Sequence, residues 1–142
     1  LTLMEPTGKR VEFLKYACAQ LGLVGVEFAK ERAEEAARKV WREQFDLASA
    51  RAVAALPMLC ELAMPLVKAE GLFLAMKSVE SDGEIESARG AIGQLGGKIE
   101  KVLDYTVPCT EVRHRVVLIR KVKPTPRQFP RAFARIKKSP LK

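Results

Sequence analysis

Arg51 and Lys77 are the residues best placed for chemistry in this sequence, because each follows an apolar segment. Phe45–Ala48 leads to Arg51 through small residues, and the unbroken apolar run Leu72–Met76 leads directly to Lys77. Ligands of open α/β sheets bind outside the carboxyl ends of the strands. A guanidinium there binds a carboxylate through two parallel hydrogen bonds. The sequence therefore predicts a binding site where these two side chains project.

Glu5 is a third candidate, because it ends the first apolar segment and is followed by Pro6, Thr7 and a predicted helix. A carboxylate in that position accepts the ribose hydroxyls of nucleotides in many α/β folds. An acid that pairs with the helix dipole would occupy the same position. Ala33 and Glu34 follow the second predicted strand, Val26–Ala29, as Glu5 follows the first. The edge of an adenine ring would lie at this position. On position alone they could equally be solvated helix surface.

The basic candidates also have structural interpretations, which the sequence leaves open. Arg51 could form a salt bridge with a neighbouring acid, and Lys77 could simply extend its ammonium group to solvent. His114 is the only histidine and is flanked by Arg113 and Arg115, which disfavours a metal site or a catalytic dyad. The sequence contains no phosphate-binding loop, zinc-protease or calcium-loop motif.

Composition limits the class of protein. The 142 residues are enough for one domain, and a hydrophobic content of 48% is typical of a globular chain. Cys18, Cys60 and Cys109 are scattered, which favours buried thiols in a reducing compartment over disulfides or zinc. No apolar run approaches the roughly 18 residues of a membrane span. We therefore expect a cytoplasmic protein with no signal peptide, membrane contact or metal.

The excess positive charge is concentrated near the end of the sequence. The formal net charge is +8, yet residues 120–142 contain nine basic residues and no acid. Residues 1–119 are therefore close to neutral. We predict a folded domain over residues 1–121 and a basic tail over residues 122–142, whose four prolines exclude helix or strand over most of its length. Such a tail is expected to contact RNA phosphates.

Strands and helices alternate along residues 1–121, which predicts a parallel, doubly wound α/β sheet. The sequence predicts strands at Leu1–Glu5, Val26–Ala29, Phe45–Ala48, Leu72–Met76, Lys98–Thr106 and Arg113–Lys121. The last two follow each other directly and must form an antiparallel hairpin. The Leu72–Met76 strand is expected to be covered on both faces, after a turn at Glu70-Gly71.

Four helices are predicted between these strands. They follow Thr7 as far as Gln20, then cover residues 32–44, 52–67 and 81–95. The first should bury an apolar face composed of Val11, Phe13, Leu14, Ala17 and Leu21. Trp41 should anchor the second helix to the core. Pro57 and Pro65 predict a kink in the third helix and then its end.

Five segments, taken in order and spacing, resemble one bacterial enzyme family: MEPTGKRVEFL, ERAEE, SARAVAALPMLCELAMPLVKAEGLFLAMK, EVRHRVVLIRKVKPTP and the FPR of the tail. The family is that of small-subunit ribosomal RNA methyltransferase G, also called glucose-inhibited division protein B. The resemblance implies a Rossmann-like class I methyltransferase sheet with a C-terminal antiparallel hairpin. It also implies S-adenosylmethionine as cofactor and methylation of N7 of a guanine in small-subunit (16S) ribosomal RNA.

The resemblance also implies roles for individual residues. Positions similar to the family's cofactor-binding residues are Glu5, Pro6, Thr7, Ala33, Glu34 and Arg51. Positions similar to its basic residues around the catalytic pocket are Lys77, Arg113 and Lys9. The implied partner is small-subunit ribosomal RNA or its assembly particle.

The sequence departs from the family pattern in two respects. Ser78 stands where the family usually has glycine, and the N-terminal helices and glycine-rich cofactor loop of the family are absent from the sequence given. The first strand of the sheet, expected between Leu1–Glu5 and Phe45–Ala48, is absent with them. We therefore expect that these residues alone do not form a stable monomer. A non-catalytic basic RNA-binding α/β module and an inactive fragment remain the alternative interpretations.

Overall fold

The computed structural model describes residues 1–51 and 53–142 of the chain. Its strands are β1 (Thr2–Met4), β2 (Glu27–Ala29), β3 (Phe45–Arg51), β4 (Val67–Ser78), β5 (Gly97–Thr106) and β6 (Arg113–Lys121). Its α-helices are α1 (Gly8–Gln20), α2 (Ala33–Ala36), α3 (Leu56–Ala63), α4 (Asp82–Gln94) and α5 (Phe133–Lys138). A 3-10 helix at Met64–Leu66 joins α3 to β4.

The strands form two separate sheets. One consists of β1 and β2, which are parallel, and the other has the order β3-β4-β6-β5. β3 and β4 are parallel, whereas β6 is antiparallel to both of its neighbours. The predicted α/β architecture with a terminal antiparallel hairpin is thus confirmed. A groove of about 440 Å³ lies between β1 and β3 and is lined by both strands.

The main core lies between the four-stranded sheet and helices α3 and α4. Phe73 and Ala75 of β4 and Val117 and Ile119 of β6 point to this side and are fully buried. Burial of one such large apolar side chain contributes roughly 1.5–3 kcal/mol. The opposite side of β4, with Leu72, Leu74 and Met76, is only half-buried. The prediction that this strand is covered on both faces is therefore met on one face and only in part on the other.

β4 begins five residues earlier than predicted. The Glu70-Gly71 segment is not a turn between elements, because it lies inside the strand as an irregularity at which pairing with β3 jumps. Glu70 takes a positive φ of 65° there. At Gly71 a β-carbon would lie 2.7 Å from a methyl carbon of Val67 and 2.8 Å from the carbonyl oxygen of Asp46. Glycine therefore permits the close approach of the two strands.

The predicted helix over residues 32–44 is wrong beyond Ala36. From there the chain continues in turns to Glu43, whose φ is 51° and whose N–H donates to the Pro65 carbonyl. After Ala36 the backbone N–H groups of Arg38 and Lys39 donate to carbonyls three residues back, so the chain forms tight turns and does not continue as an α-helix. Trp41 still packs as predicted, because it stacks on Phe45 with ring centroids 5.4 Å apart.

Two other helix predictions need correction. Pro57 lies in the first turn of α3, where proline is favoured, so the helix has no kink there. Pro65 lies in the 3-10 helix that precedes β4, which agrees with the predicted end. The predicted helix start at Ala52 falls outside the described residues. On α1, Val11 is buried but Phe13 is 66% exposed, so the predicted apolar face is too broad.

The tail packs against the domain and does not project into solvent. Phe129 and Ile136 are buried, and the side chain of Arg131 forms two hydrogen bonds with the carboxylate of Glu61 in α3. Apart from α5, the tail has no helix or strand among the described residues, as its prolines predict. It thus contributes to the core.

The structure also tests the predictions about the cysteines and possible metal ligands. Cys18 and Cys60 are buried, and burial raises the pKa of the Cys60 thiol, whereas Cys109 is exposed, contrary to expectation. Among residues 1–51 and 53–142 no group of three or more His, Cys, Asp or Glu side chains could hold a metal ion. None of the helices in that part of the chain is long and apolar enough to cross a membrane.

Candidate functional site

The predicted site residues come from several strand ends. Arg51 is the last residue of β3, and Lys77 is the penultimate residue of β4, which runs parallel to it. β6 runs in the opposite direction and pairs His114 with Ser78, so Arg113 at its start lies beside the carboxyl end of β4. These three basic residues therefore share one edge of the four-stranded sheet.

Glu5 lies immediately after β1, between strand and helix. One carboxylate oxygen accepts the backbone N–H of Thr7 at 2.8 Å, and the other lies 3.6 Å from the Arg10 guanidinium. The hydrogen bond from Thr7, and then the charge of Arg10, lower the pKa of Glu5, so it is ionised at neutral pH. The second oxygen retains capacity to accept a hydroxyl. Glu5 thus accepts a hydrogen bond at the start of α1 and can also accept one from a ligand.

Arg51 is exposed at the end of β3. Within residues 1–51 and 53–142, no carboxylate lies within 4 Å of its guanidinium. The salt-bridge interpretation left open by the sequence is therefore not supported. The small residues around it, Ser49 and Ala50 before it and Val53 and Ala54 after it, leave the guanidinium accessible.

Lys77 is not a lysine that extends into solvent, because only 13% of its side chain is exposed. Its ammonium group donates to the carbonyl of Ala54 at 3.0 Å and lies 2.6 Å from the carboxylate of Glu84. The same carboxylate oxygen accepts the backbone N–H of Leu56. Lys77 thus connects the end of β4 with the segment that joins β3 to α3. Its charge is already neutralised within the protein.

Ala33 and Glu34 do not form a solvated surface, since Glu34 is only 3% exposed. Its carboxylate accepts a hydrogen bond of 2.5 Å from Nε of Arg32, the residue that precedes α2. The guanidinium of Arg32 also lies 4.0 Å above the ring of Phe133 in the tail. One oxygen of Glu34 is therefore taken by Arg32, and contact with a ligand here is open to its other oxygen, to Ala33 and to the backbone.

Pro6, Thr7 and Lys9 surround the start of α1. Pro6 and Thr7 are exposed, and the carbonyl of Thr7 accepts the N–H groups of Arg10 and Val11. Lys9 is exposed in the first turn of the helix, with no carboxylate partner in the described part of the chain. Arg113 is also exposed and lies 3.7 Å from Asp104. These side chains are accessible to a large anionic partner.

One charged cluster at this edge was not found from the sequence. Arg115 is buried and donates two hydrogen bonds to Asp104, at 2.6 and 2.9 Å, and one to Asp82 at 2.6 Å. The hydrogen bonds that Arg115 donates to Asp104 are the main cause that lowers the pKa of Asp104 and the main cause that raises the pKa of Arg115. Arg115 lies on the buried face of β6 together with Val117 and Ile119, so an arginine at an inward-facing position of an apolar strand was the available signal.

Three of the nine basic residues counted in residues 120–142 are engaged by acids. The pairs are Arg120 with Glu100, Lys121 with Glu43 and Arg131 with Glu61. Lys121 is fully buried, and it also donates to the carbonyls of Met64 and Val67. Burial lowers the pKa of Lys121. Lys121 and Arg131 are therefore held within the fold and are not available as phosphate ligands, whereas the pair of Arg120 with Glu100 lies at the surface.

Comparison with known families and proteins is consistent with this geometry. The family model described as rRNA small subunit methyltransferase G matches residues 1–115. Ribosomal RNA small subunit methyltransferase G of Halalkalibacterium halodurans is 42% identical over 142 aligned residues. That match covers 99% of this chain and 60% of the relative, so the chain spans about three fifths of the relative's length.

Solved structures share the fold at low sequence identity. An rRNA methylase from Streptococcus thermophilus matches with a TM-score of 0.58 and 15% identity, over 86% of this chain and 73% of that one. A SAM-dependent methyltransferase from Methanosarcina mazei matches with a TM-score of 0.60 and 10% identity, over 85% and 81% of the two chains. These similarities support a Rossmann-like methyltransferase fold.

Proposed function

We propose that this chain, which belongs to the rRNA small subunit methyltransferase G family, is part of an S-adenosylmethionine-dependent enzyme that methylates N7 of a guanine in small-subunit ribosomal RNA. The observation that carries the proposal is the pair of Glu5, which follows β1 and lines the groove, and Arg51, which ends β3, the strand that forms the other wall of the groove. A carboxylate and an unpaired guanidinium are complementary to the ribose hydroxyls and the carboxylate of that cofactor.

The residues present fit the cofactor in two places. Glu5 has one oxygen whose nearest cation is 3.6 Å away, which leaves it able to accept a ribose hydroxyl. Arg51 is exposed and could bind the carboxylate of the methionine part through both nitrogens. Pro6 and Thr7 would lie beside the ribose, and Ala33 beside the adenine. The Glu34 carboxylate fits less well, because it is 3% exposed and one of its oxygens already accepts a hydrogen bond from Arg32.

The chemistry requires positioning more than proton transfer. Bound S-adenosylmethionine supplies a methyl group on a positively charged sulfur. Guanine N7 has a free lone pair, so no general base has to remove a proton before transfer. Alignment of the reacting groups can supply ~7–11 kcal/mol of the barrier reduction. The residues of this chain would therefore act by holding cofactor and base in line.

Lys77 has a specific place in that scheme, as a positioning residue. Its ammonium group holds the carbonyl of Ala54, and Glu84 holds the N–H of Leu56. Both contacts fix the segment that follows Arg51. We propose that Lys77 orients this segment, whereas the family resemblance alone implied direct contact with the substrate.

The exposed basic residues at the edge are the proposed contacts with RNA. Lys9 and Arg113 are accessible, and Lys137 and Lys138 of the tail are exposed. Such cations bind RNA phosphates and release the counterions associated with them. These contacts position the RNA but do not depend on its sequence. The proposed partner is small-subunit ribosomal RNA or its assembly particle in the cytoplasm.

A chimeric enzyme tests the proposal. The matched three fifths of the Halalkalibacterium halodurans relative are replaced by this chain, and the chimera is incubated with labelled S-adenosylmethionine and unmethylated small-subunit ribosomal RNA. We expect methyl transfer, with the label located as 7-methylguanosine. Arg51→Ala should weaken cofactor binding by roughly 1.5–3 kcal/mol, as expected for a lost charged hydrogen bond. Arg127→Ala, an exposed arginine of the tail, is the matched control.

Two results would contradict the proposal. A folded chimera that binds RNA but neither binds the cofactor nor transfers methyl groups would favour a non-catalytic RNA-binding module. An unchanged cofactor affinity in the Arg51→Ala variant, measured by calorimetric titration, would remove Arg51 from the cofactor site.

A further inference from the structure

We propose that a cavity at the end of the sheet opposite to Arg51 binds a phosphate group of RNA. The cavity has a volume of about 540 Å³ and is lined by Arg38, Arg42, Glu43, Pro124, Thr125 and Arg127. We call it the arginine pocket. The choice of RNA rests on the proposed function, whereas the affinity for phosphate follows from the residues of the pocket alone.

The position of the arginine pocket follows from the direction of the strands. Arg42 lies just before β3, whereas Arg51 is the last residue of that strand. Residues 124–127 follow β6, and β6 begins at Arg113, on the Arg51 side of the sheet. A strand rises about 3.3 Å per residue, so the seven residues of β3 separate the pocket from Arg51 by roughly 20 Å. The pocket is therefore distinct from the proposed cofactor site.

Arg42 is held in place by the tail. Its guanidinium donates to the backbone carbonyls of Thr125 at 2.6 Å, Phe129 at 2.8 Å and Pro126 at 3.3 Å. The side chain is half-buried, and the carbonyls that it contacts are neutral. They therefore fix the direction of the guanidinium and leave its positive charge uncompensated. A cation that is oriented in advance loses less conformational entropy when it binds an anion.

Arg38 and Arg127 supply exposed hydrogen-bond donors. Nε of Arg38 donates to the Pro130 carbonyl at 3.0 Å, and its two terminal nitrogens form no hydrogen bond with the described residues. Arg127 is exposed, and its side chain forms none within the same part of the chain. The two parallel N–H groups of a guanidinium match two oxygens of a phosphate. The donors that a phosphate requires are therefore present and unused.

The arginine pocket carries an excess of positive charge. Within residues 1–51 and 53–142, no carboxylate oxygen lies within 4.0 Å of the guanidinium of Arg38, Arg42 or Arg127. Glu43 also lines the pocket, but its carboxylate lies 3.1 Å from Nζ of the buried Lys121, which balances its charge. Three guanidinium charges remain, and the pocket therefore selects an anion.

RNA is the phosphate source that suits this position. Arg38 and Arg127 are exposed, so the backbone of a polymer can reach them. Arg113, at the other end of the sheet, is also exposed. An RNA molecule carries phosphates along its whole length and can contact both ends of the sheet at once. Contacts of this kind position the RNA but do not depend on its sequence.

The chimeric enzyme described above provides the test. Its affinity for unmethylated small-subunit ribosomal RNA is measured at several salt concentrations, with and without the double substitution Arg38→Gln and Arg127→Gln. We expect the double variant to bind RNA at least about tenfold more weakly, as for a lost charged hydrogen bond. The log–log salt slope should fall by about 0.7–0.9, the value for one phosphate contact.

A matched control removes two exposed cations away from the arginine pocket. It combines Arg89→Gln in α4 with Lys101→Gln in β5, and it should leave RNA affinity close to that of the unchanged chimera. Cofactor affinity should be equal in the unchanged chimera, the double variant and this control, because all these changes lie away from Arg51.

A second variant and a second probe complete the design. Circular dichroism verifies that each variant is folded. If the double variant is not, Arg127→Glu decides, because it removes no hydrogen bond of the described residues and should still weaken RNA binding. Inorganic phosphate, titrated calorimetrically, should bind the unchanged chimera and not the folded double variant.

The remaining outcomes separate this inference from the proposed function. Equal RNA affinity in the unchanged chimera and the variants would overturn the inference, and phosphate binding in that case would assign the pocket to free phosphate. An equal loss in the matched control would overturn it too, because the effect would then be one of net charge. A chimera that binds no RNA would refute both proposals, whereas RNA binding without cofactor binding or methyl transfer would contradict only the proposed function.

Discussion

Replacement of Arg131 by methionine should strongly destabilise the protein, because Arg131 neutralises a buried acid. Glu61 lies in α3 and is fully buried. It accepts three hydrogen bonds from Arg131: from Nε at 2.8 Å, from Nη2 at 2.7 Å and from the backbone N–H at 2.9 Å. Methionine preserves the volume of the side-chain stem and keeps only the backbone N–H. The variant therefore leaves a buried carboxylate with one neutral donor.

The size of the effect follows from the burial of Glu61. Removal of one partner from a buried ion pair costs about 3–5 kcal/mol, because the remaining charge is left uncompensated. An exposed pair would contribute only about 0–1 kcal/mol. A typical domain is stable by roughly 5–15 kcal/mol, so Arg131→Met should remove a large share of the total. The segment most affected should be the tail.

Urea denaturation of the chimeric enzyme described above, monitored by circular dichroism, measures this free energy. Lys138→Met is the matched control, since Lys138 is an exposed cation of the same tail, and its change should stay within about 0.5 kcal/mol. Adding Glu61→Gln to Arg131→Met should recover part of the loss, because a neutral amide is less costly to bury. A loss below about 1 kcal/mol for Arg131→Met would mean that Glu61 is hydrated in solution. The tail would then not be held as the structure describes.

Three further predictions concern the edge and the tail. Lys77→Met should remove the donor to Ala54 and speed amide exchange in residues 53–56, and unchanged exchange would show that this contact does not fix the segment. Lys137→Gln with Lys138→Gln should lower the salt dependence of RNA affinity by about 0.7–0.9 per lost phosphate contact, and an identical log–log slope would mean that these cations are only solvated. Asp104 has a folded pKa below its usual 3.8, so it stabilises the fold above that pH and loses the effect as pH falls through the folded pKa. Asp104→Asn should therefore flatten the pH dependence of the unfolding free energy below 3.8, and an unchanged profile would contradict this assignment.

Residues at strand ends were predictable from the sequence. Arg51 and Lys77 follow apolar runs, and the end of an apolar run fixes the approximate position of a strand terminus. Glu5 was predictable for the same reason, because a proline and a helix follow it. Strand lengths were less accurate: β3 extends to Arg51 and β4 begins at Val67, since pairing with a neighbour continues across residues whose local pattern is broken.

Long-range pairs between charged residues were not predictable. Glu61 and Arg131 are 70 residues apart in sequence. The pair of Lys77 and Glu84 connects β4 with α4, the helix that follows it. A single sequence shows an acid in an apolar helix, as at Glu61, but does not show which cation it meets. The prediction of a basic tail separate from the folded domain did not anticipate the packing of that tail for this reason.

The same kind of pair connects the tail with the predicted cofactor edge. Arg32 precedes α2, donates to the buried Glu34 and lies 4.0 Å above the ring of Phe133. One guanidinium therefore contacts a candidate adenine-side residue and a side chain of α5 at once. Displacement of the tail would remove the aromatic face from Arg32, a contact of roughly 0.5–2 kcal/mol. The orientation of Glu34 thus depends on the tail, and deletion of residues 122–142 would perturb the edge as well as remove basic charge. Point substitutions at exposed lysines separate these two effects, whereas deletion of the whole tail does not.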